Sequence, residues 1–403
     1  PNKPLAILSV QTSISQQLSE LKKQGAYRQR RTLGSPQGIE VMIDGKQFLS
    51  FCSNDYLGLA NDTRVCQAAK QAISSYGVGS GASQLISGYS TVHAALEEQL
   101  SDFLGYQRCL LFSSGYLANL GVISTFCSRH SLILEDRLNH ASLIDAARYA
   151  GGNLKRYQHR DISHANEILN HSQSKSHLIV SDGVFSMEGS IAHIEQLYQL
   201  KRHSHDKLII DDAHGIGVLG NNGKGSLEHL AIAPSKVDIL IGTFGKAFGG
   251  SGAFVLGNHD TIDYLIQKAR TLIYTTAPPA ALAAAASQSL NIIVNEPERR
   301  KRLHKNIQYF RKALSDSELE LLESITAIQT IIIGQNDQTL WFSKQLEERG
   351  LLILAIRPPT VPKNTARLRI TISSEHTQQQ IDLLVNALLE IENSRENLFK
   401  SLD

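Results

Sequence analysis

The feature that most constrains the fold is an alternation of β-rich runs with helical segments between about residue 60 and residue 285. The clearest apolar runs are RCLLF, SLILED, SHLIVSD, KLIIDDA, VDILIGT and GAFVLG. Segments with helical periodicity accompany them, such as TVHAALEEQLSDFLG and SLIDAARYAG. Because parallel strands need long crossover connections, usually helices, this alternation predicts an α/β fold. We expect a mostly parallel sheet with helices on both faces.

The chain outside this region predicts two further segments. Near the amino terminus, EVMIDGKQFLSF alternates around Asp44-Gly45, which predicts a hairpin because both turn residues tolerate positive φ. After Pro279 a long helix leads into AIQTIIIG, LLILAIR and ARLRITIS, which favour strands, and two helical stretches, an α+β pattern. We therefore predict an N-terminal helix and hairpin segment (1–55), a large domain (56–285) and a small C-terminal domain (286–403).

Composition excludes several classes of function. The 403 residues are 42% hydrophobic and 19% charged, with a formal net charge of +2, so no overall basic field points to nucleic acid. No apolar run has membrane-spanning length, and no signal peptide is visible. Cys52, Cys66, Cys109 and Cys127 form no CxxC pair, which is typical of free thiols in a reducing compartment. The sequence thus predicts a cytoplasmic protein with no nucleic-acid or membrane partner.

A lone lysine, Lys246, interrupts the glycine-rich end of DILIGTFGKAFGG. Three interpretations compete: a surface lysine in a strand-to-helix loop, a phosphate-cradling nucleotide loop, and a lysine sheltered so that its neutral amine attacks a carbonyl. The nucleotide loop fails on spacing, since only Thr243 and Phe244 separate Gly242 from Gly245 and alanine follows the lysine. The other two interpretations depend on the rest of the chain.

A second cluster, Asp211-Asp212-Ala213-His214, follows the apolar run KLII. Gly215-x-Gly217-x-x-Gly220 formally matches a dinucleotide fingerprint, but it continues into NNGKGS instead of opening a helix, so we disfavour a nicotinamide site. A structural role, with one acid as a cap and the other ion-paired, stays open. No further ligand cluster supports a metal, so we predict none.

A pyridinium cofactor explains these residues better. Pyridoxal phosphate (PLP) needs a lysine for its Schiff base, an acid at the ring nitrogen, a donor to its phenolate oxygen, a flat group over the ring and donors for its phosphate. Lys246, Asp211, His214 and His140 supply the first four. Donors for the phosphate are predicted where LLFSSGYLAN begins a helix (Ser113, Ser114, Gly115 and Tyr116), with Thr243 adding a hydroxyl and Ser186 another donor near the ring.

The ordered motifs FCSNDYLGLA, GSGASQLISGYSTVHAALEEQL, DRLNHASL, DGVFSMEGSIAHI, DDAHGIGVLG and TFGKAFGG resemble the α-oxoamine synthases. The resemblance covers about residues 15 to 390. It implies the aspartate-aminotransferase-like, type I PLP fold, in which the large domain binds the cofactor, and a homodimer with the active site at the interface.

The resemblance also assigns site residues. Lys246 would form the Schiff base, Asp211 would pair with the ring nitrogen, and His140 would stack on the ring; these three are the predicted catalytic residues. The remaining cofactor positions match Gly115, Tyr116, Ser186, His214 and Thr243, and the resemblance assigns Thr275 and Thr276 to the phosphate site across the dimer interface. Positions that contact substrate in the family match Arg28, Asn54, His140, Thr360 and Arg369.

The carboxyl-terminal stretch AIRPPTVPKNTARLRITIS indicates which branch of the family is nearest. It most resembles the members that condense L-alanine with a pimeloyl thioester in biotin biosynthesis, releasing carbon dioxide and the free thiol. The alternative is another amino acid and acyl-CoA pair, such as that of glycine C-acetyltransferase. Two choices stay open: coenzyme A or a carrier protein as the acyl carrier, and Arg357, Arg367 or Arg369 as the carboxylate anchor.

Overall fold

A computed structural model of the chain describes residues 13–23, 27–358 and 360–399. Its helices are α1 Ile14–Lys23, α2 Thr63–Tyr76, α3 Thr91–Leu104, α4 Gly115–Phe126, α5 Ala141–Ala150, α6 Ile162–Asn170, α7 Ile194–Gln199, α8 Ser226–His229, α9 His259–Lys268, α10 Arg270–Ile273, α11 Ala280–Asn295, α12 Pro297–Ala313, α13 Asn336–Glu348 and α14 Gln378–Phe399. Its strands are β1 Glu40–Ile43, β2 Lys46–Ser50, β3 Arg108–Phe112, β4 Leu132–Asp136, β5 Asn153–Tyr157, β6 His177–Asp182, β7 Lys207–Asp211, β8 Ile239–Thr243, β9 Ala253–Gly257, β10 Glu320–Leu321, β11 Ile328–Gly334, β12 Leu351–Leu352, β13 Leu354–Ile356 and β14 Ala366–Thr371.

A seven-stranded sheet carries the central part of the chain, in the order β3-β9-β8-β7-β6-β4-β5. Strands β4 to β8 run parallel, whereas β9 is antiparallel to both of its neighbours. The sheet and its helices form two buried clusters on opposite faces, one around Leu134 and Ile210, the other around Ile133 and Ile209. The prediction of a mostly parallel, helix-covered α/β sheet is therefore confirmed.

Two smaller sheets lie outside the central one. β10, β11, β14 and β13 form a four-stranded sheet, while the β1–β2 hairpin is extended by β12, which runs parallel to β2. The hairpin turn is the predicted one, with positive φ at Asp44 and Gly45. The division into parts at residues 55 and 285 stays a prediction. The pairing of β2 with β12 nevertheless joins the first and the last of these parts in one sheet.

A buried ion pair ties the four-stranded sheet to the loop that follows β6. Arg367, on β14, donates a 2.7 Å hydrogen bond to Glu188, and both side chains are largely buried. The guanidinium also bonds the backbone and hydroxyl oxygens of Thr365. Since Arg367 is paired in this way, it is less available as a substrate anchor than its neighbour Arg369.

The remaining predictions about helices and strands are mostly confirmed. The helix predicted after Pro279 is α11, and that predicted at GYLAN is α4. The predicted strand LLILAIR is divided at Ile353 into β12 and β13, which belong to different sheets. Within the described residues, no helix is long and apolar enough to cross a membrane.

Candidate active site

Lys246 lies in the turn after β8, at the carboxyl end of the parallel strands. The Thr243 hydroxyl shapes this turn, since it donates to the carbonyl of Gly252 at 2.9 Å and accepts from the amide of Gly245 at 3.2 Å. Gly249 has a φ of 66°, and a Cβ there would collide with the backbone of Leu59 and Ala60. Gly249 is therefore required for the turn to pack against the chain.

Burial lowers the pKa of Lys246 to about 8, even though the carboxyl groups of Asp211 and Asp182 oppose this shift. The charge of Arg369 lowers the same pKa further. At neutral and mildly alkaline pH, a much larger fraction of this amine is neutral than for a lysine in water. This lowered pKa favours the sheltered nucleophile over an ordinary surface lysine, and the assignment stays a prediction.

Three carboxyl groups surround this amine. Asp182 ends β6 and Asp211 ends β7, in register with each other, and Asp212 follows directly. Burial raises the pKa of Asp182 well above its usual value and raises that of Asp212 to about 7. An excess of acidic groups around one lysine suits a cationic ring, whose N–H would face a carboxylate here.

Asp211 is held by two donors. The amide nitrogen of Asn119, on α4, lies 2.8 Å from Asp211 Oδ2, and the backbone N–H of Ala213 lies 3.1 Å from Oδ1. The residue is 6% exposed, so it is nearly closed off from bulk solvent. An aspartate fixed in this way can face a pyridinium N–H without reorganising.

His140 caps the amino terminus of α5, and its ring is bonded within its own turn. Ser142 Oγ lies 2.7 Å from Nδ1, and the backbone N–H of His140 donates to Asp182 at 2.6 Å. Burial lowers the pKa of His140. The turn therefore fixes the position of the predicted stacking residue beside Asp182.

His214 is fully packed, and its Nδ1 lies 2.7 Å from the hydroxyl of Tyr56. Burial and the nearby charge of Lys246 hold the pKa of His214 well below its usual value, so this imidazole is neutral. The bond to Tyr56 occupies Nδ1 and leaves Nε2 for a second partner. Nε2 can donate to a phenolate, as predicted, only when the single hydroxyl hydrogen of Tyr56 points to Nδ1 and not to Asn54.

Arg369 is 8% exposed and is held from two sides. Its Nε donates to the backbone carbonyl of Ser186 at 2.6 Å, and Nη2 donates to Asn54 Oδ1 at 3.2 Å. Tyr56 also donates to Asn54 Oδ1, at 3.2 Å. The predicted pair Asn54 and Arg369 is therefore brought together beside His214, with the guanidinium unmatched by any hydrogen-bonded carboxylate among the described residues.

The predicted phosphate donors lie at the amino terminus of α4. Ser114 is its N-cap and accepts from the amide of Leu117. Beside it is a cavity of about 290 Å³ that is lined by hydroxyl-bearing, glycine and apolar residues: Gly79, Ser80, Ser113, Ser251, Gly252, Thr276, Ala277, Pro278, Pro279 and Leu282. It has no acidic lining residue, so its chemistry fits a phosphate next to free helix amides.

A larger cavity, of about 600 Å³, opens beside His140 and Ser186 and also includes Thr360. Arg28 is exposed and lies close enough to Arg357 to help lower the pKa of that arginine, after burial. Tyr116 is half exposed and donates to Asp145. No described contact joins Arg28 or Thr275 to the lysine site, so their assignments stay predictions.

Four residues of this site escaped sequence analysis: Asn119, Ser142, Asp182 and Tyr56. The sequence could have identified Asp182, because it ends an apolar strand as Asp211 does. The other three lie within motifs that were recognised, at GYLAN, NHASL and NDYLG. Nothing in the residue types alone shows that their side chains meet across the fold.

Known proteins resemble this chain along most of its length. Residues 46–388 match the family described as aminotransferase class I and II. An 8-amino-7-oxononanoate synthase from Methylococcus capsulatus is 48% identical over 93% of this chain and 96% of its own. The chain belongs to the 8-amino-7-oxononanoate synthase family, within the class I and II aminotransferases.

Solved structures agree with this family. A lysine-to-alanine variant of a serine palmitoyltransferase from S. paucimobilis, solved with a bound PLP–myriocin aldimine, superposes with a TM-score of 0.88 at 27% identity, covering 94% of this chain and 96% of its own. An 8-amino-7-oxononanoate synthase from Francisella tularensis has a TM-score of 0.76 at 32% identity, covering 86% and 98%. The predicted type I fold, enzyme class and PLP dependence are confirmed.

Proposed function

We propose that the chain condenses L-alanine with a pimeloyl thioester to give 8-amino-7-oxononanoate, carbon dioxide and the free thiol, a step of biotin biosynthesis. The observation that carries the proposal is the buried amine of Lys246, with a pKa of about 8, among Asp211, Asp182 and Arg369. Identity of 46–48% to curated 8-amino-7-oxononanoate synthases over more than nine-tenths of the chain supports this reaction.

PLP, when bound, supplies an electron sink that stabilises negative charge on the α-carbon of an amino acid. Lys246 would bind it covalently, Asp211 would face its ring nitrogen, and His214 would lie at its phenolate. The 290 Å³ cavity at the start of α4 would receive the phosphate. Thr276 lines this cavity and Thr275 does not, so Thr276 is the better candidate of the two for binding the phosphate.

The chain's own residues then handle protons and charge. Once released from the cofactor, the neutral amine of Lys246 removes the α-proton of alanine, and it returns a proton after decarboxylation. Arg369 and Asn54 hold the alanine carboxylate until it leaves as carbon dioxide. Burial of the lysine is essential to both steps, because a lysine with its ordinary pKa would stay protonated at neutral pH.

The pimeloyl thioester carries a second carboxylate at its far end. Arg28 and Arg357 lie near each other, and Thr360 lines the 600 Å³ cavity with His140 and Ser186. Two neighbouring guanidinium groups suit the far carboxylate of a diacid chain, since arginine binds carboxylates bidentately. Acetyl and succinyl donors are shorter, so a carboxylate anchor at Arg28 would favour a longer diacid chain.

The two proposed carboxylate anchors, Arg369 and Arg28, should affect the KM values of different substrates. Arg369→Ala should raise the KM for alanine by at least about thirtyfold, because loss of a sheltered charge partner costs about 2–5 kcal/mol. Arg28→Ala should raise mainly the KM for pimeloyl-CoA, by a smaller factor, because Arg28 is exposed. Arg129→Ala is the control, since Arg129 lies before β4 and bonds only His130 among the described residues. If wild-type protein prefers glycine with acetyl-CoA, the proposed substrates are wrong.

Covalent binding of PLP to the cofactor-free protein should depend on the ionisation of Lys246. Only the neutral amine attacks the aldehyde, so the rate should rise with pH and level off above about 8. Arg369→Ala should move this midpoint upward, because the charge of Arg369 lowers the pKa of Lys246. Stopped-flow absorbance in the visible range measures both. A midpoint near 10.5 in the wild type would contradict the sheltered amine.

We also propose that two copies of the chain pair through an apolar face beside the phosphate cavity. Val78, Ile86 and Tyr274 are 77%, 80% and 70% exposed, and a bridge between Ser83 and Thr276 ties their segments together. Exposed apolar groups of this size mark interaction surfaces. Ile86→Glu should yield monomers in analytical ultracentrifugation, whereas the control Ile14→Glu, on α1, should not.

The proposed cellular site is the cytoplasm. All four cysteines are free thiols in the structure, and none is paired with another. Free thiols are typical of reducing compartments.

A further inference from the structure

A chain of hydrogen bonds connects Asp211 with His140 through two residues that no proposed step uses. Asn119 Nδ2 lies 2.8 Å from Asp211 Oδ2 and also 2.8 Å from Ser142 Oγ. Ser142 Oγ in turn lies 2.7 Å from His140 Nδ1. Asn119 and Ser142 are each 1% exposed, so solvent does not compete for these contacts.

Chemistry sets the direction of each bond. A carboxylate only accepts hydrogen bonds, so the atom of Asn119 that faces Asp211 must be its NH2 group and not its carbonyl oxygen. The same NH2 group then donates its second hydrogen to Ser142 Oγ. The Asn119 carbonyl oxygen is left buried without a hydrogen-bond partner in the described chain, which is the cost of this orientation.

The bond from Asn119 also determines which way the hydroxyl hydrogen of Ser142 points. Ser142 Oγ accepts from Asn119, so its single hydrogen is free to donate to His140 Nδ1. The backbone N–H of Ser142 also points at Nδ1, at 3.3 Å, and a backbone N–H can only donate. Two donors at Nδ1 leave no place for a proton on that nitrogen, so the imidazole proton belongs on Nε2.

We propose that Asn119 and Ser142 are positioning residues, which use the fixed carboxylate of Asp211 to hold His140 as the neutral tautomer protonated at Nε2. His140 lines the 600 Å³ cavity, and no described group is hydrogen-bonded to its Nε2. The Nε2–H is therefore available as a donor to an oxygen of the reacting molecules. The thioester carbonyl is the natural acceptor, and this last assignment rests on the proposed function.

Other charged groups around His140 do not favour one tautomer. Asp211 and Asp145 raise its pKa and Lys246 lowers it, while Asp182 accepts from its backbone N–H and not from its ring. These charges act on the ring as a whole. Only the hydroxyl and the backbone N–H of Ser142 contact one ring nitrogen and not the other. The tautomer of His140 therefore tests the relay, by which we mean the hydrogen-bond chain from Asp211 through Asn119 and Ser142 to His140.

The wild-type tautomer can be read by ¹⁵N NMR of the PLP-loaded protein labelled with [¹⁵N]histidine, with the His140 signals assigned by their loss in His140→Asn. We expect a pyrrole-type shift at Nε2 and a pyridine-type shift at Nδ1. A proton on Nδ1, or an imidazolium at neutral pH, would overturn the proposal. No substrate is needed, so this result is independent of whether the alanine and pimeloyl reaction is correct.

Ser142→Ala tests the relay, since it removes the hydroxyl and leaves the backbone donor. We expect the His140 pKa to rise and a second tautomer to appear, with kcat lower by about tenfold, the effect of one hydrogen bond on the barrier. Ser142→Thr should restore the wild-type shifts. Ser124→Ala is the control, because Ser124 lies on α4 but bonds only backbone carbonyls. Unchanged His140 shifts in Ser142→Ala would show that the relay does not set the tautomer.

Discussion

Replacement of Lys246 by alanine is expected to abolish turnover and to remove the covalent attachment of PLP. The side chain supplies both the covalent link and the proton transfer, and loss of a positioned base alone costs about 10²–10⁴-fold in rate. Wild-type protein should absorb in the visible range, and borohydride should bleach this band while labelling one peptide. The variant should show neither the band nor the label, although it should still bind PLP non-covalently.

Lys236→Ala is a suitable control for that experiment. Lys236 forms an exposed ion pair with Glu195 at 2.8 Å, away from the carboxyl ends of the parallel strands. Its loss should leave cofactor attachment and turnover unchanged, since exposed ion pairs contribute little to stability. A borohydride label on a peptide that lacks Lys246 would refute the assignment of the nucleophile, and would leave the fold unaffected.

The sequence predicted the central sheet well because the signals for it are local. Each parallel strand is an apolar run with a polar residue at its end, as in SHLIVSD and KLIIDDA, and each helix carries its own periodicity. The glycines around Lys246 also predicted a tight turn. Since the carboxyl ends of parallel strands meet at one edge, Asp211, Lys246 and His140 could be placed together before the fold was known.

Contacts between distant segments could not be predicted in the same way. Tyr56 meets His214 across 158 residues of sequence, and Arg369 meets Asn54 across 315. Asparagine and serine are most common at helix starts and turns, so the residue types of Asn119 and Ser142 do not indicate a buried contact between two helices. Only the packing of α4 against α5 brings them between Asp211 and His140, and no local pattern records that packing.

The division of LLILAIR had a similar cause. Leu351 and Leu352 pair with β2, whereas Leu354 to Ile356 pair with β14, so one apolar run serves two sheets. Periodicity shows that the run is extended, but it contains no information on which strand each half joins. Arg28 illustrates a further limit, because it lies near Arg357, the last residue of LLILAIR, and no local pattern records a contact between such distant parts of the chain.

Asp211→Asn should leave the fold intact and slow removal of the α-proton of alanine by about 10²–10³-fold, the range found when one group that stabilises developing charge is removed. The carboxylate accepts from Asn119 at Oδ2 and from Ala213 at Oδ1, whereas an amide has one acceptor oxygen. One of these donors therefore loses its partner, at a cost of about 1–3 kcal/mol in folding free energy. More important, an amide cannot keep the ring nitrogen of PLP protonated.

The measurement is exchange of the α-proton of alanine with deuterated solvent, followed by proton NMR without a thioester. Asp212→Asn is a matched control, because burial raises the pKa of Asp212 to about 7 and the amide resembles its protonated form. Asp212 also accepts the backbone N–H of Ser226 at 2.7 Å, a bond that an amide oxygen retains. We expect exchange in Asp212→Asn to stay within about tenfold of wild type, below the single-donor losses cited above. If Asp211→Asn exchanges as fast as wild type, Asp211 does not face the ring nitrogen, and Asp182, the other strand-end carboxyl beside Lys246, becomes the candidate.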